Sequence, residues 1–369
     1  MGAWSSYWTG SRFDVAWGEV TGAVGDTVTV LPIVVAVAAL TDLALGHLLL
    51  GFAVFQVVWG LHYGHPMSVE PMKALAALVI AGGLSTGEFI AAGLLAGGVL
   101  LFVGRAGALG RLAPYVGEPV VRGIQVGVAL LLLRTGVTTG LQRPDLAAFS
   151  VLVALCAVAL GYRNAAALAV LGVGAALAVT AAGPITPRLP SIALLDPARI
   201  TFSRDAVGAT LGQLAMTVGN AAVATSLLVE EYFDAEARPD DLSTSMGVMN
   251  LLAVPFGAMP MCHGSGGVAG KYAFGARTAT SNLVLGGFYA LLAVVAVDAV
   301  AAFPMAVLGI VLVLVALELG RAGADTDDPL LTGVVGVLAL LTNVGVAFAV
   351  GVVGYQVLPR LRERWGSAA

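Results

Sequence analysis

Two proline-methionine pairs, Pro71-Met72 and Pro260-Met261, each precede residues that could bind an anion. Proline suits the first position of a helix, where its missing N–H costs nothing. The spacing therefore predicts helices that start at Pro71 and Pro260, with free amides after each proline and about half a positive charge at each start. Two such starts around one point form an anion site. The candidate ligand residues there are Met72, Lys73, Cys262, His263, Gly264 and Ser265.

Carboxylates within apolar stretches could carry protons or cations. Asp26 lies in the middle of one stretch, and Glu70 directly precedes Pro71. Acids inside a membrane-spanning segment are rare and are functional candidates by default. Asp26 and Glu70 are therefore the predicted coupling residues, and Glu70 could also compete with an anion at the helix start. Four acids closer to segment ends are predicted to be interfacial: Glu88, Glu118, Asp298 and Glu318.

Two of the basic residues also have a structural interpretation. Lys73 could pair with Glu70 or another buried acid, because an unpaired ammonium in an apolar medium is costly. His263 could be a packing histidine whose ring nitrogens are satisfied within the protein. A metal site at Cys262 and His263 is disfavoured, because further ligands are missing.

The composition places these residues in a membrane. Apolar residues make up 59% of the 369 positions and charged residues only 11%, and the mean hydropathy is +0.94. Soluble domains carry about 25% charged residues, so a soluble enzyme, a nucleic-acid-binding protein and a disordered chain are excluded. The long apolar runs lack the alternation of an outer-membrane barrel.

Apolar stretches divide the chain into two sets of segments. Two further stretches, 67–82 and 261–275, carry proline at the front and glycine inside, which is typical of half-helices in transporters. A proline-rich linker at 184–204 separates a first repeat, 1–183, from a second repeat, 205–369. The predicted full segments are 19–40, 43–60, 85–103, 116–137, 146–161, 165–182, 206–230, 243–255, 280–299, 304–320, 329–342 and 344–358.

Three landmarks recur in the same order in both halves. Each pair matches in its glycine, proline or proline-methionine positions, and Asp26 aligns with Asn220. Seven segments per half, an odd number, invert the second copy relative to the first. The aligned pairs are Gly18–Asp26 with Gly212–Asn220, Pro66–Met72 with Pro255–Met261, and Pro119–Ile124 with Pro304–Ile310.

Positive charges between the segments predict the orientation. Cytoplasmic loops of membrane proteins carry an excess of lysine and arginine, which here favours cytoplasmic N- and C-termini in the plasma membrane. No soluble domain is expected after the last segment. The outside set is Arg143, Arg188, Arg199 and Arg204, and the inside set is Arg12, Arg105, Arg111, Arg163, Arg238, Lys271, Arg277, Arg321, Arg360, Arg362 and Arg364.

Four motifs resemble the molybdate transporter family that is related to the SulP sulfate permeases. They are Gly18–Thr27, Pro71–Ala76, Phe256–Gly267 and Tyr272–Arg277. The resemblance implies an all-α integral membrane protein with a seven-plus-seven inverted repeat of about 14 segments, half-helices in segments 3 and 10, and an elevator-like mechanism. The family often has Gln where this chain has Glu70.

The same resemblance implies oxyanion transport, with the site between the third and tenth segments. It adds Thr27, Gln213 and Asn220 to the candidate substrate contacts. The implied partners are molybdate or a similar oxyanion, a coupling proton or sodium ion, membrane lipid and a second copy in a homodimer, with no cofactor. Sulfate, tungstate or a nucleobase are the alternative substrates, and a membrane enzyme or channel is disfavoured because no catalytic set or phosphate loop is present.

Overall fold

The structure is a computed structural model that describes residues 13–184 and 186–366. Arg12, one of the residues in the predicted inside set, lies outside the described residues. The side chains of Arg360, Arg362 and Arg364 likewise lie outside the described set.

Long apolar helices dominate the described chain. Seven of them are long and apolar enough to cross a membrane of about 30 Å. Four shorter apolar helices accompany them: Pro144–Ala159, Thr280–Val295, Pro329–Leu341 and Val344–Val357. The seven long ones are Trp17–Leu40, Leu45–Tyr63, Thr86–Arg105, Glu118–Gly140, Arg163–Ala182, Arg204–Phe233 and Met305–Ala324.

The first half of the chain follows the predicted segments closely. The short helix Leu109–Val116, the strand Glu70–Pro71 and the turn Arg163–Ala165 are elements there that the sequence did not predict. In chain order the elements are α1 (Trp17–Leu40), α2 (Leu45–Tyr63), β1 (Glu70–Pro71), α3 (Lys73–Ile80), α4 (Thr86–Arg105), α5 (Leu109–Val116), α6 (Glu118–Gly140), α7 (Pro144–Ala159), a 3-10 turn (Arg163–Ala165) and α8 (Ala166–Ala182).

The second half repeats this order after a 3-10 turn at Pro197–Arg199. A π-helical stretch, Thr217–Ala224, interrupts the predicted segment 206–230. The elements are α9 (Arg204–Met216), the π-helical stretch, α10 (Thr225–Phe233), α11 (Pro239–Ala253), a 3-10 turn (Val254–Phe256), β2 (Met261–Cys262), α12 (Ser265–Ala273), α13 (Thr280–Val295), α14 (Val297–Ala301), α15 (Met305–Ala324), α16 (Pro329–Leu341) and α17 (Val344–Gly366).

The two predicted half-helices are present, but each starts later than its proline. Helix α3 begins at Lys73 and α12 begins at Ser265. The residues before them form an antiparallel strand pair, with Glu70 opposite Cys262 and Pro71 opposite Met261. The predicted starts at Pro71 and Pro260 were wrong, because extended chain that crosses an apolar interior must satisfy its backbone groups by pairing.

The helices pack as two bundles, and the strand pair lies within the first of them. Helices α1–α4 and α9–α13 pack mostly with one another and form the first bundle, whereas α6–α8 and α15–α17 form the second.

Close packing of α6 on α15 requires glycine. A Cβ on Gly136 would lie 2.6 Å from the carbonyl oxygen of Gly309, and a Cβ on Gly309 would lie 2.5 Å from the amide nitrogen of Gly140. Small residues permit this approach between membrane helices.

A buried ion pair holds the first bundle together. Lys271 on α12 and Asp26 on α1 are both fully buried, with Nζ and Oδ2 3.2 Å apart. Lys271 was predicted to lie in a cytoplasmic loop, and this was wrong because the half-helix α12 extends to Ala273. Without Lys271, the predicted cytoplasmic set still contains more positive residues than the predicted outside set.

Neutral groups complete this ion pair. The Lys271 ammonium also donates to Gln56 Oε1, Asn282 Oδ1 and the carbonyl of Met67 at 2.8–3.1 Å. Asp26 accepts from the Ser68 hydroxyl at 2.6 Å and from Gln56 Nε2 at 3.0 Å. Buried charges are tolerated when they are paired and hydrogen-bonded. The network thus ties α1, α2, α12 and α13 into one unit.

Replacing one member of the pair should destabilise the protein strongly. Lys271→Met leaves the Asp26 charge buried without its partner, which we expect to cost about 3–5 kcal/mol. The measurement is thermal unfolding in detergent together with monodispersity. The double variant Asp26→Asn with Lys271→Met should recover much of the loss.

The exposed pair Arg143–Asp145 supplies the control, because Arg143→Gln should change the unfolding temperature little. A Lys271→Met protein as stable as wild type would contradict the role of the pair.

Candidate functional site

One cavity contains the start of both half-helices. It has a volume of about 610 Å³ and lies between α1, α3, α10 and α12 of the first bundle and α6 and α15 of the second. Lys73 opens α3, and Ser265 and Gly266 open α12. An amide in the first turn of a helix has no partner within that helix. The polar lining residues are Thr29, Lys73, Arg122, Gln125, Asn220, Glu231, Ser265 and Glu318.

The start of α3 is capped by a side chain of the second half. Gln213 Oε1 on α9 accepts from the amide of Ala74 at 2.9 Å and from that of Leu75 at 3.3 Å. The amide of Met72 donates to the carbonyl of Pro260 at 2.9 Å. The prediction that the amide after Pro71 is a free donor was therefore wrong. Gln213 serves the site by holding α3.

The start of α12 is capped by a side chain of the first half. Glu70 Oε1 accepts from the amide of Gly267 at 2.6 Å. Gly264 precedes the helix, and a Cβ there would lie 2.0 Å from the Glu70 carboxyl, so only glycine fits. The amide of Met261 donates to Asn250 Oδ1 at 2.8 Å, so it is not the predicted free donor.

Glu70 also holds the lysine of the site. Lys73 Nζ and Glu70 Oε2 are 2.6 Å apart, and Glu70 is 2% exposed whereas Lys73 is 23% exposed. The structure thus contains the Lys73–Glu70 ion pair that the sequence analysis gave as the structural role of Lys73. The Glu70 carboxylate therefore contacts the first turn of both half-helices.

His263 and Cys262 are built into the protein interior. The ring nitrogens of the fully buried His263 bond to the carbonyl of Ser68 at 2.9 Å and to the hydroxyl of Ser245 at 2.7 Å. The thiol of Cys262 donates to the carbonyl of Pro71 at 3.7 Å. Within the described residues no group of three or more metal ligands is found. Both side chains fix β2 against the first half.

The remaining candidates divide between the cavity and the interior. Ser265 and Asn220 line the cavity, and the serine hydroxyl donates to Asn220 Oδ1 at 2.5 Å. Thr27 is buried, and its hydroxyl donates to the carbonyl of Val24 within α1. Met72 is also buried. Of the predicted substrate contacts, the structure brings Lys73, Asn220 and Ser265 to the cavity wall.

Several residues of the site were not identified from the sequence. Glu318 was predicted to be interfacial because it is close to a segment end, but it is half-buried and lines the cavity, since α15 continues to Ala324. Thr29 and Gln125 give no signal beyond a polar side chain in an apolar stretch. Gln56 and Asn282, which bond to Lys271, are likewise marked in the sequence only as polar side chains in apolar stretches.

A model of the family described as "Molybdate transporter of MFS superfamily" matches residues 18–132 and 205–319. The chain belongs to the molybdate transporter family. The resemblance predicted from the four motifs is thereby confirmed, and both matched stretches include a half-helix.

Curated relatives cover nearly the whole chain. "Molybdate transporter 2" of Arabidopsis thaliana is 29% identical over 402 residues, which covers 92% of this chain and 87% of the relative. "Molybdate transporter 1" of the same plant is 30% identical over 400 residues, with 92% and 88% covered.

Solved structures with a similar fold are anion transporters. The transmembrane domain of the cyanobacterial bicarbonate transporter BicA has a TM-score of 0.66 at 17% identity, covering 91% of this chain and 98% of that one. Murine Slc26a9 in the inward-facing state has a TM-score of 0.70 at 13% identity, covering 95% and 70%. The predicted fold class, a helical membrane protein with a seven-plus-seven inverted repeat, is confirmed.

The cap on α3 predicts a measurable stability effect. Gln213→Leu removes the acceptor for the amides of Ala74 and Leu75, and we expect a loss of about 1–3 kcal/mol because buried donors are left unsatisfied. Gln213→Glu keeps an acceptor and should lose less. Thermal unfolding of the two variants side by side measures this, and equal stability of Gln213→Leu and wild type would contradict it.

Proposed function

We propose that the protein is a secondary active transporter that takes up molybdate across the plasma membrane. The observation that carries this proposal is that Lys73, Ser265 and Gly266, the first residues of the two half-helices, line one cavity. The names of the curated relatives support molybdate as the substrate. Tungstate and sulfate, which are also tetrahedral dianions, are the substrates to compare with it.

A tetrahedral dianion matches the donors at this cavity. Its four oxygens can accept from the Lys73 ammonium, from the Ser265 hydroxyl and from the amides of Lys73, Ser265 and Gly266, which Gln213 and Glu70 do not cap. Charge-assisted hydrogen bonds of this kind are about twice as strong as neutral ones. Because Glu70 already holds Lys73 and the Gly267 amide, the oxyanion either shares the lysine with the Glu70 carboxylate or displaces it.

Binding on the first bundle suits an elevator-like cycle. Both half-helices belong to the first bundle, and the buried Asp26–Lys271 network makes that bundle a single unit. The first bundle would carry the oxyanion past α6 and α15 from one side of the membrane to the other. In this proposal the protein is a homodimer whose interface holds the second bundle in place. Both termini lie in the cytoplasm, and lipid surrounds the dimer.

Uptake of a dianion into a negative-inside cell requires an energy source. It costs about 2.3 kcal/mol per charge at 100 mV, or about 4.6 kcal/mol for two charges. Co-transport of one proton or sodium ion halves this cost, and co-transport of two removes it. Asp26 and Glu70 are the coupling candidates that the sequence predicts, and each is bonded to a lysine.

The test of the function is counterflow in liposomes. Vesicles loaded with unlabelled molybdate should accumulate labelled molybdate, and external tungstate should compete better than sulfate. Saturation with substrate distinguishes a transporter from a channel. Accumulation of a labelled nucleobase instead, or no exchange of any dianion, would contradict the proposal.

Lys73 and Glu70 should have opposite effects on binding. Lys73→Ala removes the ammonium, and we expect it to abolish molybdate binding. Glu70→Gln removes the competing negative charge while keeping an acceptor for Gly267, so it should tighten binding several-fold. The measurement is equilibrium binding to purified, monodisperse protein, with the exposed Arg143→Gln as the control. Binding by Lys73→Ala within about threefold of wild type would restrict Lys73 to a structural role.

Coupling is tested in the same vesicles. We expect accumulation of molybdate against its gradient to require a pH or sodium gradient, because the dianion otherwise moves against the membrane potential. Ionophores that collapse each gradient in turn identify the coupling ion. Uptake that persists after both gradients are collapsed would contradict coupling, and Asp26→Asn with unchanged accumulation would remove Asp26 as the coupling group.

A further inference from the structure

Glu318 lies at the junction of two cavities. It lines the main cavity and also a neighbouring cavity of about 470 Å³. Val28, Thr29 and Gly266 line both cavities as well, so the two meet around the start of α12. Glu318 belongs to α15 of the second bundle, and it therefore faces the proposed oxyanion site from across the bundle interface.

The charged groups around Glu318 come from five elements. They are Lys73 on α3, Arg122 on α6, Glu231 on α10, Arg163 in the turn before α8, and Arg321 on α15 itself. The residues that helix α1 contributes to these walls are uncharged: Gly25, Val28, Thr29 and Ile33. Among the described residues, Glu318 forms no ion pair with a nitrogen within 4.0 Å.

The two cations of the main cavity are already paired with other acids. Lys73 pairs with Glu70 at 2.6 Å, and Arg122 pairs with Glu118 at 2.5 Å. The Arg122 guanidinium also donates to the carbonyl of Ala322 at 2.9 Å. The carboxylates without an ion partner in this cavity are Glu318 and Glu231, as far as the structure describes the chain.

These two carboxylates differ in their contact with solvent. Glu231 is exposed, so water and salt screen its charge, whereas Glu318 is half-buried. A dianion that enters the cavity therefore meets one weakly screened negative charge on the opposite wall. Like charges in a shared site favour protonation of one of them.

We propose that Glu318 binds the proton that accompanies the oxyanion, and this rests on the proposed function. The Glu318 carboxylate is ionised in the empty cavity and becomes a neutral carboxylic acid when the dianion binds near Lys73, taking one proton from the medium. When the oxyanion leaves on the other side, the same proton is released. One proton per oxyanion thus passes through Glu318.

Asp26 and Glu70 are less suited to this role. Asp26 is fully buried against Lys271, Ser68 and Gln56, and Glu70 is bonded to Lys73 and to the Gly267 amide. Both carboxylates are therefore already paired with a lysine before the oxyanion binds. Glu318 also belongs to the bundle that does not carry the substrate, so a sliding of the first bundle would change its distance from the bound charge.

The test compares the pH dependence of molybdate binding in wild type and Glu318→Gln. Linkage to one proton weakens wild-type binding by about tenfold per pH unit once the group is ionised in the empty protein. Glu318→Gln should bind with one affinity across the same pH range, equal to that of wild type at acid pH. Glu231→Gln, which removes the exposed acid of the same cavity, is the matched control and should keep the wild-type pH dependence.

Proton uptake gives a second readout. When molybdate is added to weakly buffered protein, a pH indicator should report about one proton bound by wild type and none by Glu318→Gln. In liposomes, Glu318→Gln should retain counterflow at symmetrical pH and lose accumulation driven by a pH gradient. Glu318→Ala should behave in the same way if Glu318→Gln proves unstable.

The outcomes separate this inference from the proposed function. A wild-type protein that binds molybdate, together with a Glu318→Gln variant whose pH dependence is unchanged, overturns the inference alone. A wild-type protein that binds no molybdate, tungstate or sulfate at any pH overturns both.

Discussion

Every backbone amide in the apolar interior needs an acceptor, and the two breaks in the helical chain before α3 and α12 create the greatest demand. Lipid offers no substitute for water, so unsatisfied groups there cost several kcal/mol each. The chain meets the demand with a strand pair between Glu70–Pro71 and Met261–Cys262 and with two side-chain caps, Gln213 on α3 and Glu70 on α12. Each half-helix is therefore completed by the other half of the chain.

This exchange between the halves accounts for several of the buried polar side chains. His263 bonds to the carbonyl of Ser68 in the first half, and the thiol of Cys262 donates to the carbonyl of Pro71. The Asp26–Lys271 pair joins α1 to α12 in the same way. These contacts fix the relative position of the two helix starts, and a site formed by two helix starts requires that position to be constant.

The sequence predicted the membrane class, the two half-helices and the landmarks of the repeat, because these depend on hydropathy and on local proline and glycine patterns. Lys73 was found as a lone lysine in an apolar stretch, and Asn220 through its alignment with Asp26. Local patterns could not show that Lys271 is buried, since that depends on Asp26, Gln56 and Asn282 from three other helices. The role of Gln213 as a cap was hidden for the same reason, because its partners are about 140 residues away.

The two caps differ in charge, and this difference shapes the site. A neutral amide caps α3, so the positive end of that helix and the Lys73 ammonium remain near the cavity, whereas a carboxylate caps α12 and also pairs with Lys73. The pairing keeps the lysine stable in an apolar environment while the site is empty. In the proposed function, the same carboxylate would compete with the oxyanion for the lysine and for the start of α12. Binding of the proposed oxyanion would then be weaker than the donors alone would give, and such weakening would help its release on the far side of the membrane.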